Sequence, residues 1–238
     1  MQIVVNGASK SFKKQQVLKD INLVIKENEI FGLIGPSGAG KTTLIRLIIG
    51  AIEADSGEIK VGEDVVPNLK ALVNIGYMPQ NDALYNDLSG IDNLLFFGGM
   101  YKLKKEELKK RANEVLKLVE LDSDGEKRVI NYSGGMKKRL SIAVALLHSP
   151  EVLILDEPTV GIDPILRKKI WKEFYALKAQ GKTIVVTTHV MDEAVKCDRL
   201  GLIYGGNIIA CDTVDALLAR TKNNSIEELF FEEEGQTI

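Results

Sequence analysis

The sequence predicts an α/β fold: a mostly parallel sheet core with an antiparallel β patch and an inserted helical subdomain. Three observations support this. The short apolar runs IFGLIG (Ile30 to Gly35), VLILDE (Val152 to Glu157) and TIVVTTH (Thr183 to His189) read as strands buried on both faces. Segments of helical periodicity lie between them, as strand–helix alternation requires. Glycines, acids or a histidine follow each run, at the carboxyl edge where open α/β sheets hold their ligands.

In chain order, Val17 to Ile25 alternates apolar and polar residues like a half-buried strand. Ile30 to Gly35 is a buried strand, followed after a loop by a helix over Thr43 to Gly50. Ser56 to Val66 sets turn glycines between short strand-like runs, which suggests the antiparallel patch. Ala71 to Gln80 reads as a further strand ending in a polar residue. From Asn81 to His148 the pattern is helical: LLFFGGMYKL, KKEELKKRANEVLKLVEL, then SGGMKKRLSIAVALLH. The strand Glu151 to Glu157, the helix ILRKKIWKEFYALKAQ closed by Gly181, and the strand Lys182 to His189 complete the core. The chain is thus expected to be one domain, residues 1–238. Residues 1–80 and 149–238 form its core, and residues 81–148 its helical subdomain.

At 238 residues, 45% hydrophobic and 27% charged, such a chain can bury a large core. Thirty-one basic against 33 acidic residues leave a net charge of −2, which implies no strongly basic face and no nucleic-acid partner. Cys197 and Cys211 lack metal or redox spacing and read as reduced, mostly buried thiols of a cytosolic protein. MQIVVNGASKSF lacks the apolar core of a signal peptide, and no apolar run approaches the roughly 18 residues that span a bilayer. Any service to a membrane is expected to pass through a partner.

Gly35-Pro36-Ser37-Gly38-Ala39-Gly40-Lys41-Thr42-Thr43 fits G-x-x-x-x-G-K-[ST] between a strand and a helix, the context that motif demands. Its glycines let the backbone wrap a polyphosphate at the positive end of a helix. Lys41 would reach the β- and γ-phosphates, and the Thr42 hydroxyl would ligate Mg²⁺. The pattern implies a nucleoside-triphosphate site on a P-loop NTPase (RecA-like) core. Asp156 and Glu157 emerge from a buried strand beside that loop. Asp156 suits Mg²⁺ held through water next to Thr42, and Glu157 suits a general base for attack on the γ-phosphate. His189 ends the next strand and could contact the γ-phosphate, or be structural. His148, just before Ser149-Pro150, reads as a cation at a helix end.

NYSGGMKKR (Asn131 to Arg139) lies ahead of the strand carrying Asp156, with Ser133 a candidate helix cap and N–H groups available to an anion. Taken in order with the phosphate loop, Gln80, VLILDEPTVGIDP and His189, it resembles the nucleotide-binding subunit of ATP-binding cassette (ABC) transporters. The resemblance runs from about residue 2 to at least residue 220. It implies ATP and Mg²⁺ as cofactors, with Gly35 to Thr43 as Walker A, Val152 to Asp156 as Walker B and Glu157 as the catalytic glutamate. It makes Gln80 the Q-loop residue at the metal and attacking water, Asp163 the D-loop aspartate and His189 the switch histidine. Phe12 falls where the family stacks an aromatic ring on adenine, and Val17 where a second apolar contact is usual. Ser133, Gly134 and Gly135 would contact the γ-phosphate held by an opposite subunit. The partners implied are a second copy or a homologous ATPase subunit, and an integral membrane permease. The place implied is the cytoplasmic face of the cell membrane.

Two departures stand out. The family's signature usually begins with Leu and ends with Gln, whereas here Tyr132 and Met136 hold those places. YSGGMKKRL is similar to ATPases of ABC-2 type exporters, the drug and antibiotic efflux class. Gly76 to Leu103 and the tail Ser225 to Gly235 point the same way. Among other features, Lys102 to Leu121 reads as a solvated amphipathic helix, and Glu232 to Glu234 as a solvated C-terminus. LLFFGGMY is a candidate groove for a short helix of the membrane partner. The alternative function is an ABC-type ATPase switch in an assembly or repair complex without a membrane partner. No N-K-x-D motif favours a GTPase.

Overall fold

A computed structural model describes residues 1–101 and 104–233, the side chains of 232 and 233 excepted, so the acidic run Glu232 to Glu234 lies outside the described side chains. A four-stranded antiparallel sheet runs in the order β2-β1-β4-β5, from β1 (Ile3–Phe12), β2 (Gln15–Ile25), β4 (Ser56–Val61) and β5 (Asp64–Val65). In β2 the alternation seen in the sequence buries Leu18, Ile21, Leu23 and Ile25. Strand β1 was not foreseen. Gly7 takes φ +61°, and register shifts follow Val5, so the buried residues Ile3, Val5 and Ala8 break the period of two.

The second sheet has the order β10-β9-β3-β8-β7-β6, from β3 (Ile30–Ile34), β6 (Ile75–Met78), β7 (Val152–Asp156), β8 (Thr183–Thr188), β9 (Arg199–Tyr204) and β10 (Asn207–Thr213). Every pairing in it is parallel except β10 on β9, an edge hairpin that the sequence reading also missed. Strands β3, β7 and β8 are buried throughout, because both faces of the sheet are covered. Phe31, Leu33, Val152, Ile154 and Val185 pack toward the antiparallel sheet and α1 (Lys41–Ile48). Ile30, Ile34, Leu153, Leu155, Ile184 and Val186 pack on the other face, against the helices that follow.

Those helices include α3 (Gly90–Gly99), α4 (Lys105–Leu118) and α5 (Gly134–Leu146), which share Leu94, Leu108, Ala112, Val115, Leu140 and Ala143 in one core. The long helix α6 (Pro164–Ala179) adds Ile170, Trp171 and Phe174 to it. The remaining short helices are α2 (Leu69–Val73), α7 (Met191–Ala194), α8 (Val214–Leu218) and α9 (Glu228–Glu233).

The structure corrects three local expectations. Residues 71–73 belong to α2, not to a strand, because the Asn68 side chain accepts from the Lys70 N–H and caps a helical turn there. Helix α1 starts at Lys41, two residues early, so the lysine sits within its first turn. His148 is no cation. Its ring stacks on Tyr101 at 3.8 Å, and burial pulls its pKa down to about 4. Its Nε2 lies 3.2 Å from the Ile75 carbonyl and therefore donates. Cys197 is buried and its thiol is pushed up to about 12 by that burial; Cys211 is half-buried and also raised.

Candidate active site

Strand β3 delivers Gly35 to the sheet's carboxyl edge, where the backbone passes so close to the Ile203 carbonyl that any Cβ would collide with it. Pro36, Ser37 and Gly38 are exposed, whereas Ala39 and Gly40 are buried, and Gly40 enters α1 at φ +111°. The Lys41 ammonium folds back beneath this loop and donates to the carbonyls of Gly35 at 2.6 Å and Pro36 at 3.0 Å. Burial lowers its pKa, while the nearby charges of Glu157 and Asp156 pull it upward. With no phosphate present, these two carbonyls take up two of the three ammonium donors.

Neighbouring parallel strands bring the acids to the same edge. The Thr42 hydroxyl donates to Asp156 Oδ2 at 3.0 Å, and the Thr187 hydroxyl donates to the other oxygen. Asp156 is buried, so these bonds fix its carboxylate facing the first turn of α1. Glu157, one residue on, has left the strand at φ +53°, a left-handed conformation uncommon for a side chain of its size. Its N–H meets Thr187 at the backbone carbonyl (3.2 Å) and at the hydroxyl (3.0 Å), and its own carbonyl accepts from Lys138 Nζ at 3.0 Å. The turn aims its side chain outward. There Gln80 Nε2 donates to Oε2 at 3.0 Å, and His189 Nδ1 sits 3.0 Å from Oε1.

Val17, Ser37, Gly38, Gly40, Lys41, Thr42, Thr43, Gln80 and Glu157 wall an open cleft of about 350 Å³. Phe12 stands outside that wall, 45% exposed at the end of β1, with Lys10 Nζ 5.8 Å from its ring. Ser133 and Gly134 are exposed at the start of α5 and are not among the residues walling the cleft; Ser133 Oγ accepts from the Met136 N–H at 3.2 Å. Asp163 is exposed and caps α6, accepting from the Leu166 N–H at 3.0 Å.

The two departures in the signature now have physical accounts. Tyr132 is buried and its hydroxyl donates to the Asp124 carbonyl at 2.8 Å, while a methyl group on Gly90 would overlap that hydroxyl. Met136 gives the Ser133 cap its backbone N–H, a contact indifferent to the side chain, and packs its side chain against the core. Sequence reasoning missed Thr187 and Lys138. A hydroxyl inside the buried run TIVVTTH was a usable signal for the first; Lys138 looked like any other surface lysine.

The comparisons with known proteins bear on this geometry. The family model described as ABC transporter matches residues 18–160. The chain belongs to the ABC transporter family. It is 44% identical over 223 residues to the linearmycin resistance ATP-binding protein of Bacillus subtilis, covering 92% of this chain and 72% of that protein. It is 39% identical over 233 residues to a Nod factor export ATP-binding protein of Bradyrhizobium diazoefficiens, covering 97% and 76%. Among solved structures it resembles a dimeric ATP-binding cassette in a post-hydrolysis state bound to ADP and phosphate. The TM-score is 0.83 and the identity 29%, over 89% of this chain and 98% of the other. This cassette is accordingly an ATP-binding, ATP-hydrolysing subunit with the α/β fold of its family. Among the described residues, no helix is long and apolar enough to cross a membrane.

Proposed function

We propose that this cassette powers export through a separate integral membrane permease, closing head to tail with a second copy or a homologous ATPase subunit around two ATP molecules. One observation carries the dimer. Ser133 and Gly134 present an exposed helix start outside the cleft where Lys41, Thr42 and Glu157 meet, so a signature turn reaches ATP only from another chain. The ADP- and phosphate-bound cassette that this chain resembles is itself dimeric, which supports a dimer here. Export rests on the signature YSGGMKKRL and on the two relatives, whose names describe linearmycin resistance and Nod factor export.

The donors at the cleft fit Mg²⁺. They are oxygens, Thr42 Oγ1 and Asp156 Oδ2 already lie 3.0 Å apart, and Mg²⁺ commonly takes few protein ligands besides phosphates and water. Thr42 and Asp156 would hold it, with Gln80 close by, and when bound it neutralises charge building on the β- and γ-oxygens. Lys41 leaves its two carbonyls for the phosphates. Glu157 takes the proton of the attacking water, held in place by Gln80, and His189 donates toward the γ-phosphate. Val17 and Phe12 receive the adenine, and Asp163 faces the partner subunit. Residues 1–80 and 149–238 act as the nucleotide-binding core. Residues 81–148 act as the helical subdomain, and its exposed Tyr85, Phe96 and Met100 receive the permease on the cytoplasmic face of the membrane.

Mixing two inactive variants tests the composite site. A Cβ on Gly135 would meet only the Gly161 carbonyl, at 3.8 Å, so Gly135→Asp fits within its own subunit and sets a charge against a partner's ATP. Gly135→Asp should bind ATP without hydrolysing it, and mixing it with Lys41→Ala should restore activity, because each mixed dimer keeps one intact site. Full activity of Gly135→Asp alone, linear in protein concentration, would show that the turn is only a helix start.

A further inference from the structure

A buried carboxylate lies just behind the reactive face. Glu193, on α7, is 1% exposed; the Thr159 hydroxyl donates to its Oε1 and the Thr188 hydroxyl to its Oε2, the latter at 3.0 Å. Thr188 ends β8 immediately before His189, and its hydroxyl also accepts the Val190 N–H at 3.0 Å, so it grips the histidine's backbone from behind. Thr159 lies two residues past Glu157, on the loop leading to Asp163. Arg167, in the second turn of α6, extends the chain of contacts. Its Nε stands 3.7 Å from Glu193 Oε1, and its Nη2 donates to the carbonyl of Ile162, the neighbour of Asp163, at 3.2 Å.

We infer that Glu193 is a positioning residue for hydrolysis: it ties the strand end bearing His189 to the loop bearing Asp163, so that movement of one is felt by the other. The chemistry favours such a role. Hydrophobic packing alone would hold α7 against β8 without a charge. Burying a carboxylate is costly unless its oxygens are matched by donors, and here one donor comes from the loop after Glu157 and the other from the strand end before His189. The carboxylate touches neither substrate nor reacting atoms. It acts through His189, and the inference rests on the reading of His189 as the γ-phosphate contact.

The test uses the whole chain and four variants: Glu193→Gln, Thr188→Val, His189→Ala and the double variant Glu193→Gln/His189→Ala. Glu193→Gln keeps the shape but gives one hydroxyl an amide N–H₂ in place of an acceptor. It should lower kcat by roughly ten- to a hundredfold, the scale of a sub-ångström to ångström misplacement, with KM for ATP within about twofold. Thr188→Val should lower kcat in the same way while sparing the buried carboxylate, which keeps the inference testable if Glu193→Gln folds poorly. In the His189→Ala background, Glu193→Gln should cost nothing further. Normal kcat in both Glu193→Gln and Thr188→Val, or a loss that simply multiplies that of His189→Ala, would overturn the inference while leaving His189 in its role. Unimpaired hydrolysis by His189→Ala would overturn the role of the histidine itself.

Discussion

Lys138 donates to the backbone carbonyl of Glu157 at 3.0 Å. The lysine belongs to the helix that opens with the signature turn, and the glutamate stands just past the carboxyl end of β7. One hydrogen bond thus links the helical layer to the backbone of the reactive acid. Left-handed backbone at a non-glycine residue costs about 1–3 kcal/mol and persists only where surrounding contacts hold it. Thr187 holds the N–H side of Glu157 and Lys138 holds the carbonyl side.

Lys138→Met keeps the aliphatic stem and removes the donor. Nucleotide affinity should stay within about twofold, whereas kcat should fall by roughly tenfold as the carboxylate loses its aim. Steady-state hydrolysis beside a nucleotide titration reads both quantities. An unchanged kcat would mean that Thr187 alone sets the turn.

Glu157→Gln removes the proton acceptor while leaving Gln80 and His189 a polar side chain to meet. Hydrolysis should slow by roughly 10² or more, with ATP binding retained. Size-exclusion chromatography with ATP should then show a trapped dimer. Turnover near that of the unaltered protein would remove Glu157 from the role of base.

Lys41→Ala and Phe12→Ala should rank clearly in calorimetric titration with ATP. Loss of a charge-assisted phosphate contact is worth roughly 1.5–3 kcal/mol, ten- to a hundredfold in affinity. Loss of a stacking ring on an exposed strand end should cost less than about tenfold. The reverse order would remove Phe12 from its secondary place and Lys41 from its leading one.

Stability should weaken in mild acid because of His148. Burial, the largest influence, holds its pKa at about 4 against an ordinary 6.5; its bond to the Ile75 carbonyl opposes this, and Lys182 and Arg111 add to the lowering. Between those values the unfolded chain binds a proton that the folded chain refuses. Stability from this group is therefore full above pH 6.5 and lost as pH falls toward 4. The loss should be on the order of 1–2 kcal/mol after allowing for partial exposure. His148→Phe, which keeps a ring against Tyr101, should show a smaller drop in melting temperature between pH 7 and pH 4.5. Equal drops would assign the acid sensitivity to other groups.

Much of the fold was legible because its central strands are buried on both faces and so read as unbroken apolar runs: Ile30 to Ile34, Val152 to Asp156, Thr183 to Thr188. Strands β1 and β10 were not legible, since one is bulged at Gly7 and the other slips register between Ile208 and Ala210. At the site, the loop and the acids could be read because phosphate chemistry fixes their order and spacing. The meeting of Gln80, Glu157 and His189 depends on which strands are neighbours, a fact of topology and not of local sequence. Lys138 and Glu193 were harder still. Lysine on an amphipathic helix usually faces water, and only the folded partners reveal that one of these lysines turns inward.

The contact between Tyr132 and Gly90 bears on how this signature can change over generations. With Tyr132 in place, its hydroxyl bonded to Asp124, position 90 has no room for even one methyl group. A lineage carrying Leu at 132 loses the hydroxyl clash and keeps only the Gly125 carbonyl, 3.2 Å from a Cβ at position 90. A small side chain there needs a slight backbone shift and then bars the way to tyrosine. The two positions act as a ratchet. Gly90→Ala should be harmful in this chain and much less so beside Tyr132→Leu, so the order in which the two substitutions arise decides whether the path between the two signatures is open.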